Sequence, residues 1–108
     1  IDMTIETMTK LFELKNIIGV KDATGDLKRV ELQKKSMGKD FIQLTGNDDN
    51  ALEFNRLGGV GAIGVTANIA AKLSSDFQKA CVEDKDKAIK LYNIHKIVAE
   101  KVTAGAQQ

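Results

Sequence analysis

Two rhythms of apolar residues alternate along this chain, one with the period of a helix and one with the density of a buried strand. Ile5, Met8, Leu11 and Phe12 fall on one helical side behind Thr4, which predicts an amphipathic helix over residues 4–14 with Thr4 as its cap. Ile17, Ile18 and Val20 then form a short β-branched run, the composition of a strand buried on both faces, over residues 16–21. A second helix is expected from Asp26, its cap, to Gly38, with Leu27, Val30, Leu32 and Met37 as an imperfect apolar stripe. Phe41–Leu44 reads as a second strand, ended by Thr45-Gly46-Asn47-Asp48-Asp49. A short helix over residues 50–57 turns Ala51, Leu52 and Phe54 inward and stops at Gly58-Gly59. Residues 60–65 give a glycine-diluted third strand closed by Thr66-Ala67-Asn68. Two helices complete the pattern. One covers residues 69–82, with Leu73, Phe77, Ala80 and Cys81 on one side. The other starts behind Asp84 and covers residues 85–102, with Ala88, Leu91, Tyr92, His95 and Val98 sharing a face before a frayed end at 104–108.

The resulting order, α-β-α-β-α-β-α-α, implies right-handed crossovers and a parallel sheet. Each strand ends in polar residues at its carboxyl edge, where ligands bind in both open and closed α/β sheets. Three strands alone leave long apolar edges unless something covers them. A doubly wound sheet and a piece of an eight-stranded barrel both fit this order.

Composition narrows the function classes. With 108 residues, 43% apolar and 29% charged positions and a net charge of +1, the chain is one ordinary globular domain at most. That balance gives no electrostatic case for nucleic acid or an anionic membrane. No apolar run reaches the roughly 18 residues of a membrane span, and a cytoplasmic location is the default expectation. Cys81 is the only cysteine, so neither an internal disulfide nor a cysteine-based metal site is expected. The chain opens at Ile1 and contains no proline, against an average usage of about 5%, which suggests a piece of a longer protein.

The residue that stands out is Lys21, at the carboxyl end of the first β-branched run. Most lysines in such a place run their stems to water. The sharper reading is a Schiff-base nucleophile, because only the free amine attacks a carbonyl. Its pKa then has to fall from about 10.4 towards 7–8, roughly 3–4 kcal/mol of selective destabilisation of the ammonium. Burial among Ile17, Ile18, Val20 and the neighbouring strands is the expected source. Gly59-Val60-Gly61-Ala62-Ile63-Gly64 matches G-x-G-x-x-G, but its glycines enter a strand instead of opening a helix. Close approach of a backbone or ligand explains them better than a dinucleotide does. Asp48 and Asp49 form a carboxylate pair or metal ligands on one reading. On the other they mark a turn and a helix N-terminus between Asn47 and Asn50. His95 has no partner at ligand spacing and reads as structural, while Tyr92 and Cys81 read as helix-face packing.

Three blocks give these residues a common setting. Gly19-Val20-Lys21-Asp22-Ala23-Thr24-Gly25, Leu44-Thr45-Gly46-Asn47-Asp48 with Ala51-Leu52-Glu53-Phe54, and Gly58 through Asn68 resemble the dihydrodipicolinate synthase family, in the class I pyruvate-dependent aldolase superfamily that includes N-acetylneuraminate lyase. Ala23-Thr24-Gly25 and Val65-Thr66-Ala67-Asn68 favour the synthase over the sialate lyase. The resemblance implies the carboxyl-terminal part of a (β/α)8 TIM barrel. Strands 6 to 8 and their helices would lie in residues 1–83, and residues 84–108 would begin a small helical domain. It also implies that Lys21 forms a covalent imine with pyruvate, with no other cofactor and no metal, and that Gly46 and Ile63 line the pyruvate pocket. The enamine formed from that imine would attack aspartate 4-semialdehyde in the diaminopimelate route to lysine, within a homotetramer.

Several family elements have no counterpart in these residues: the Thr-Thr pair, the relay tyrosine, the arginine that holds the substrate carboxylate and the allosteric lysine site. Tyr92 sits in the wrong element to serve as that relay, and residues 101–108 do not match the family's carboxyl-terminal segment. The 108 residues alone are therefore expected to be inactive, and poorly soluble or oligomeric. A non-catalytic half-barrel remnant and another pyruvate aldolase of the superfamily are the competing readings.

Overall fold

The computed structural model describes residues 1–106. Thr4 caps the first helix, α1 (Ile5–Leu11), by accepting the Thr7 amide at 3.1 Å. Strand β1 (Gly19–Asp22) follows, then helix α2 (Lys28–Met37), whose first amide is taken by Asp26 Oδ1 at 3.0 Å. Strand β2 (Ile42–Thr45) leads through a single 3-10 turn at Asp48–Asn50 into α3 (Ala51–Leu57). Strand β3 (Gly61–Ala62) is followed by a second 3-10 turn at Thr66–Asn68, then α4 (Ala71–Glu83) and α5 (Lys85–Ala106). Gln107 and Gln108, part of the expected frayed end, lie outside the described residues. The rest of that end continues α5.

The three strands form one parallel sheet in the order β1-β2-β3. Lys21 pairs with Leu44 and Asp22 with Thr45, while Leu44 and Thr45 pair in turn with Gly61 and Ala62. Expectation and structure agree on element order, but β3 is shorter than the six residues predicted. Pairing needs a partner strand, and β2 ends at Thr45, opposite Ala62. Beyond that pair the strand continues with one more bond, from the Ile63 amide to the Thr45 carbonyl at 2.9 Å. The same limit trims β1, whose pairing begins opposite Ile42.

The sheet's two faces differ sharply. Helices cover one of them. There Val20 packs on a cluster of Met8, Met37 and Phe41, and the Phe12 ring meets Phe41 edge-on at 5.2 Å. Gln43 and Thr45, from the same side of β2, are fully buried. Gln33, which the expected stripe of α2 did not include, is buried and donates to Gln43 Oε1 at 2.6 Å, and Gln43 donates to the Val30 carbonyl at 3.0 Å. Leu32, placed in that stripe by the sequence pattern, is half exposed instead, because residues 30, 33 and 37 form the buried face. Burial of β1 on both faces does not occur: Ile18 is 62% exposed, and the opposite side of the sheet, with Lys21 and Ile42, is open.

The two carboxyl-terminal helices pack on each other, with Phe77, Ala80, Ala88, His95 and Ala99 buried. Phe77 sits 5.8 Å from both the Tyr92 and the His95 ring. His95, read from the sequence as structural, is buried in this seam, where its Nε2 pairs with Ser74 Oγ at 2.9 Å and its Nδ1 has no partner among the described residues. Among the described residues no helix is long and apolar enough to cross a membrane.

Candidate active site at the carboxyl edge of the sheet

Strand geometry decides which residues meet. Side chains alternate faces, and the register sets Lys21 beside Leu44, with Gly46 two residues further on, just past the end of β2. The Gly46 amide donates to the Asp22 carbonyl at 2.8 Å, so the chain beyond β2 is held against the end of β1. Lys21 therefore bends over Gly46. A methyl group at residue 46 would lie 2.8 Å from Lys21 Cε and 2.8 Å from Ala23 Cβ. Only glycine leaves this passage open without moving the Ala23 backbone.

Lys21 itself is exposed. This corrects the expectation that Ile17, Ile18 and Val20 wall it in. Val20 faces the helices, Ile18 is exposed, and no described element covers the face that Lys21 shares with Ile42 and Leu44. The Lys21 stem nevertheless passes beside Gly46 at the strand ends, its Cε 2.8 Å from where a Cβ on residue 46 would lie. Ile63, on the adjoining strand end, is 55% exposed and held through its amide to Thr45. The three candidate residues thus sit at the ends of three adjacent strands.

The residue after Lys21 faces the other way. Asp22 is buried, and Oδ1 accepts both the Thr24 amide at 2.8 Å and the Thr24 hydroxyl at 2.6 Å. Its Oδ2 pairs with Arg29 Nε at 2.8 Å, and Arg29 also donates to the Met3 carbonyl. Burial pushes the carboxyl pKa up, but the Thr24 bonds and the Arg29 guanidinium outweigh it and hold it below the usual 3.8. Asp22 thereby fixes the turn on which Lys21 is mounted.

The two acidic residues after β2 make different contacts. Among the described residues no three metal-binding side chains cluster. Asp48 reaches across to the end of β3, where Oδ2 accepts the amides of Val65 at 3.2 Å and Thr66 at 3.0 Å and the Thr66 hydroxyl at 2.8 Å. Asp49 is exposed, and its carbonyl accepts the Tyr92 hydroxyl from α5. Burial, helped by the Asp49 and Glu100 charges, pushes the Tyr92 pKa up. A cleft of about 600 Å³ separates the loop after β2 from α5, with Gly46 on its rim beside Asn47 and Asp48 and Lys96 on its far wall.

Sequence reasoning placed Lys21, Gly46 and Ile63 and missed the supports beneath them. The Asp22–Arg29 pair spans seven residues and the Asp48–Thr66 link eighteen, so neither shows in local patterning. The glycines of the G-x-G-x-x-G run serve close approach, chiefly of side chains and not of the backbone or ligand expected. Gly59 lies against the Phe54 ring, and Gly64 makes room for the Asp48 carboxylate.

Residues 1–106 match the model of the Dihydrodipicolinate synthetase family. The chain belongs to that family. It is 65% identical over 99 residues to the 4-hydroxy-tetrahydrodipicolinate synthase of Pelagibacter ubique (strain HTCC1062), an alignment covering 91% of this chain and 34% of the relative. It resembles the solved 4-hydroxy-tetrahydrodipicolinate synthase of Methylacidiphilum fumariolicum SolV with a TM-score of 0.84 and 29% identity, over 90% of this chain and 33% of that one. The Acinetobacter baumannii dihydrodipicolinate synthase, solved in complex with pyruvate, gives 0.78 and 35%, over 90% of this chain and 35% of that one. The chain spans about a third of the length of the curated relatives it matches. Within this family its parallel sheet is one part of a TIM barrel, which explains a sheet clothed on one side only.

Proposed function

We propose that these residues supply the Schiff-base portion of a synthase that condenses pyruvate with aspartate 4-semialdehyde. Residues 1–83 are assigned to the barrel and residues 84–108 to the start of a helical domain. Lys21 is the nucleophile: its amine lone pair forms a bond to the pyruvate C2 carbon, and the carbonyl oxygen leaves as water to give the imine. Loss of a proton from the methyl group gives an enamine, whose carbon attacks the aldehyde. The amine of the second substrate then attacks the imine carbon, closing the ring and expelling the Lys21 amine, which frees the product and restores the lysine. Gly46 and Ile63 border the bound pyruvate, and no cofactor beyond the covalent imine takes part. The observation that carries this reading is Lys21 crossing Gly46 at the edge where α/β barrels bind their substrates.

The assembled enzyme is proposed to be a cytoplasmic homotetramer acting on small molecules, with no nucleic acid or membrane partner. The exposure of Lys21 favours a second reading, a half-barrel remnant without catalysis. Trapping separates the two. In the P. ubique synthase with its matching segment replaced by this chain, borohydride and pyruvate should leave a stable adduct on the peptide containing Lys21. Absence of that adduct overturns the catalytic reading. Turnover of aspartate 4-semialdehyde by the same protein tests the second substrate.

A further inference from the structure

Resting on the pyruvate reading above, we infer that Asp48 is a positioning residue for the pyruvate pocket, a carboxylate clamp that holds the ends of β2 and β3 in register beside Lys21. Backbone pairing between these strands runs out just where the pocket begins. The Val60 amide bonds the Gln43 carbonyl at 3.0 Å and the Ile63 amide bonds the Thr45 carbonyl at 2.9 Å, and there the ladder stops. Gly46 and Ile63 stand at or past that last rung.

Asp48 takes over from the ladder. Two residues beyond Gly46, its Oδ2 gathers three donors from Val65 and Thr66, two and three residues beyond Ile63. Charge-assisted bonds of this kind are shorter and about twice as strong as neutral ones. Thr66 is 1% exposed, so the anchor at the far end is fixed. Gly64 makes the arrangement possible, since a methyl group there would lie 2.0 Å from Asp48 Oδ1. The near side is braced separately: the Thr45 hydroxyl donates to Asn50 Oδ1 at 2.8 Å and accepts the Asn47 amide at 3.1 Å. Asp48 therefore sets the separation of the two residues that flank pyruvate without touching it.

The test uses the same P. ubique synthase carrying this segment, and reads the pyruvate dependence of borohydride trapping at Lys21 together with KM and kcat. A displacement of about 1 Å at a reacting group costs up to about a hundredfold. Asp48→Ala should raise the pyruvate KM and the half-maximal trapping concentration about 10- to 100-fold, with kcat within about threefold of the parent. Asp48→Asn keeps a side-chain oxygen for the Thr66 donors and should recover most of the loss. Gly64→Ala, which evicts Asp48 without deleting it, should reproduce Asp48→Ala, and Thr66→Val should give a smaller shift. The inference falls if Asp48→Ala and Gly64→Ala trap at the parent's pyruvate concentration. It falls equally if their losses follow only the folded fraction measured by circular dichroism. No adduct in the parent overturns the pyruvate reading and the clamp with it, whereas a normal parent with indifferent variants overturns the clamp alone.

Discussion

The two faces of the same three strands behave as different kinds of surface. On the helix side polar groups are buried and paired: Gln43 with Gln33, Asp22 with Arg29, Thr45 with Asn47 and Asn50. On the other side Lys21, Ile42 and Ile63 meet solvent. A buried polar group left unpaired costs about 1–3 kcal/mol, so these pairs weigh on folding, and of the groups named here Gln33 Oε1 is buried without a partner among the described residues. The open face carries no such demand. Stability lives on one side of the sheet and the proposed chemistry on the other, and the loops at the carboxyl edge join them.

The largest expected effect lies on the open face. Lys21→Ala removes the only proposed nucleophile, so pyruvate-dependent borohydride trapping in the completed barrel should fall by at least 10³-fold, to background. Thermal unfolding should move little, because Lys21 is exposed and a surface substitution of this kind changes stability by about 0.5 kcal/mol or less. A large loss of melting temperature would show that Lys21 is structural.

Next comes Phe41, on the covered face beside Ile42. Phe41 is 5% exposed and packs on Met8, Met37 and Phe12. Phe41→Ala should cost about 3–5 kcal/mol, measured by denaturant unfolding. That is a large fraction of a small domain's total stability.

Asp22 links the faces and adds a pH dependence. Its folded pKa is held below the ordinary 3.8, so the unfolded chain binds that proton more tightly. The contribution is fully present above about pH 4–5 and is lost as pH falls through the lowered folded value. Asp22→Asn should cost about 1.5–3 kcal/mol near neutrality, the range for hydrogen bonds to charged groups. It should also flatten the acid limb of an unfolding curve measured between pH 5 and 2. An unchanged acid limb would mean that Asp22 does not couple folding to protons.

The contrast also explains what the sequence made legible. Element order followed from periodicity, and Thr4, Asp26 and Asp84 cap helices where local chemistry placed them. Lys21 stood out from its place at a strand's carboxyl edge, whereas Gly46 and Ile63 came as candidates from the family blocks alone. The burial of Lys21 was misjudged because a β-branched run reports what a strand can bury, not whether a neighbour is there to bury it. Gln33 and Gln43 escaped notice because each reads as surface alone and becomes core only as a pair. Asp48 read as a turn residue because its partners, Val65 and Thr66, belong to the next strand end.

The smallest effect gives the finest test of the two-faced sheet. Ile42 is next to Phe41 in sequence, yet it points to the open side and is 39% exposed. In the chain as it stands, Ile42→Ala should cost only about 1 kcal/mol, since little apolar area is lost from contact. In the completed barrel, where relatives have the remaining strands, the same change should cost about 2–5 kcal/mol, as for a core isoleucine. Phe41→Ala should cost the same in both settings, because its partners all lie within these residues. The ratio of the two penalties, taken from denaturant curves in each setting, then measures how much of the open face the rest of the barrel covers. Equal penalties for Ile42→Ala in both settings would mean that this face stays bare even in the whole enzyme, leaving Lys21 no source of desolvation.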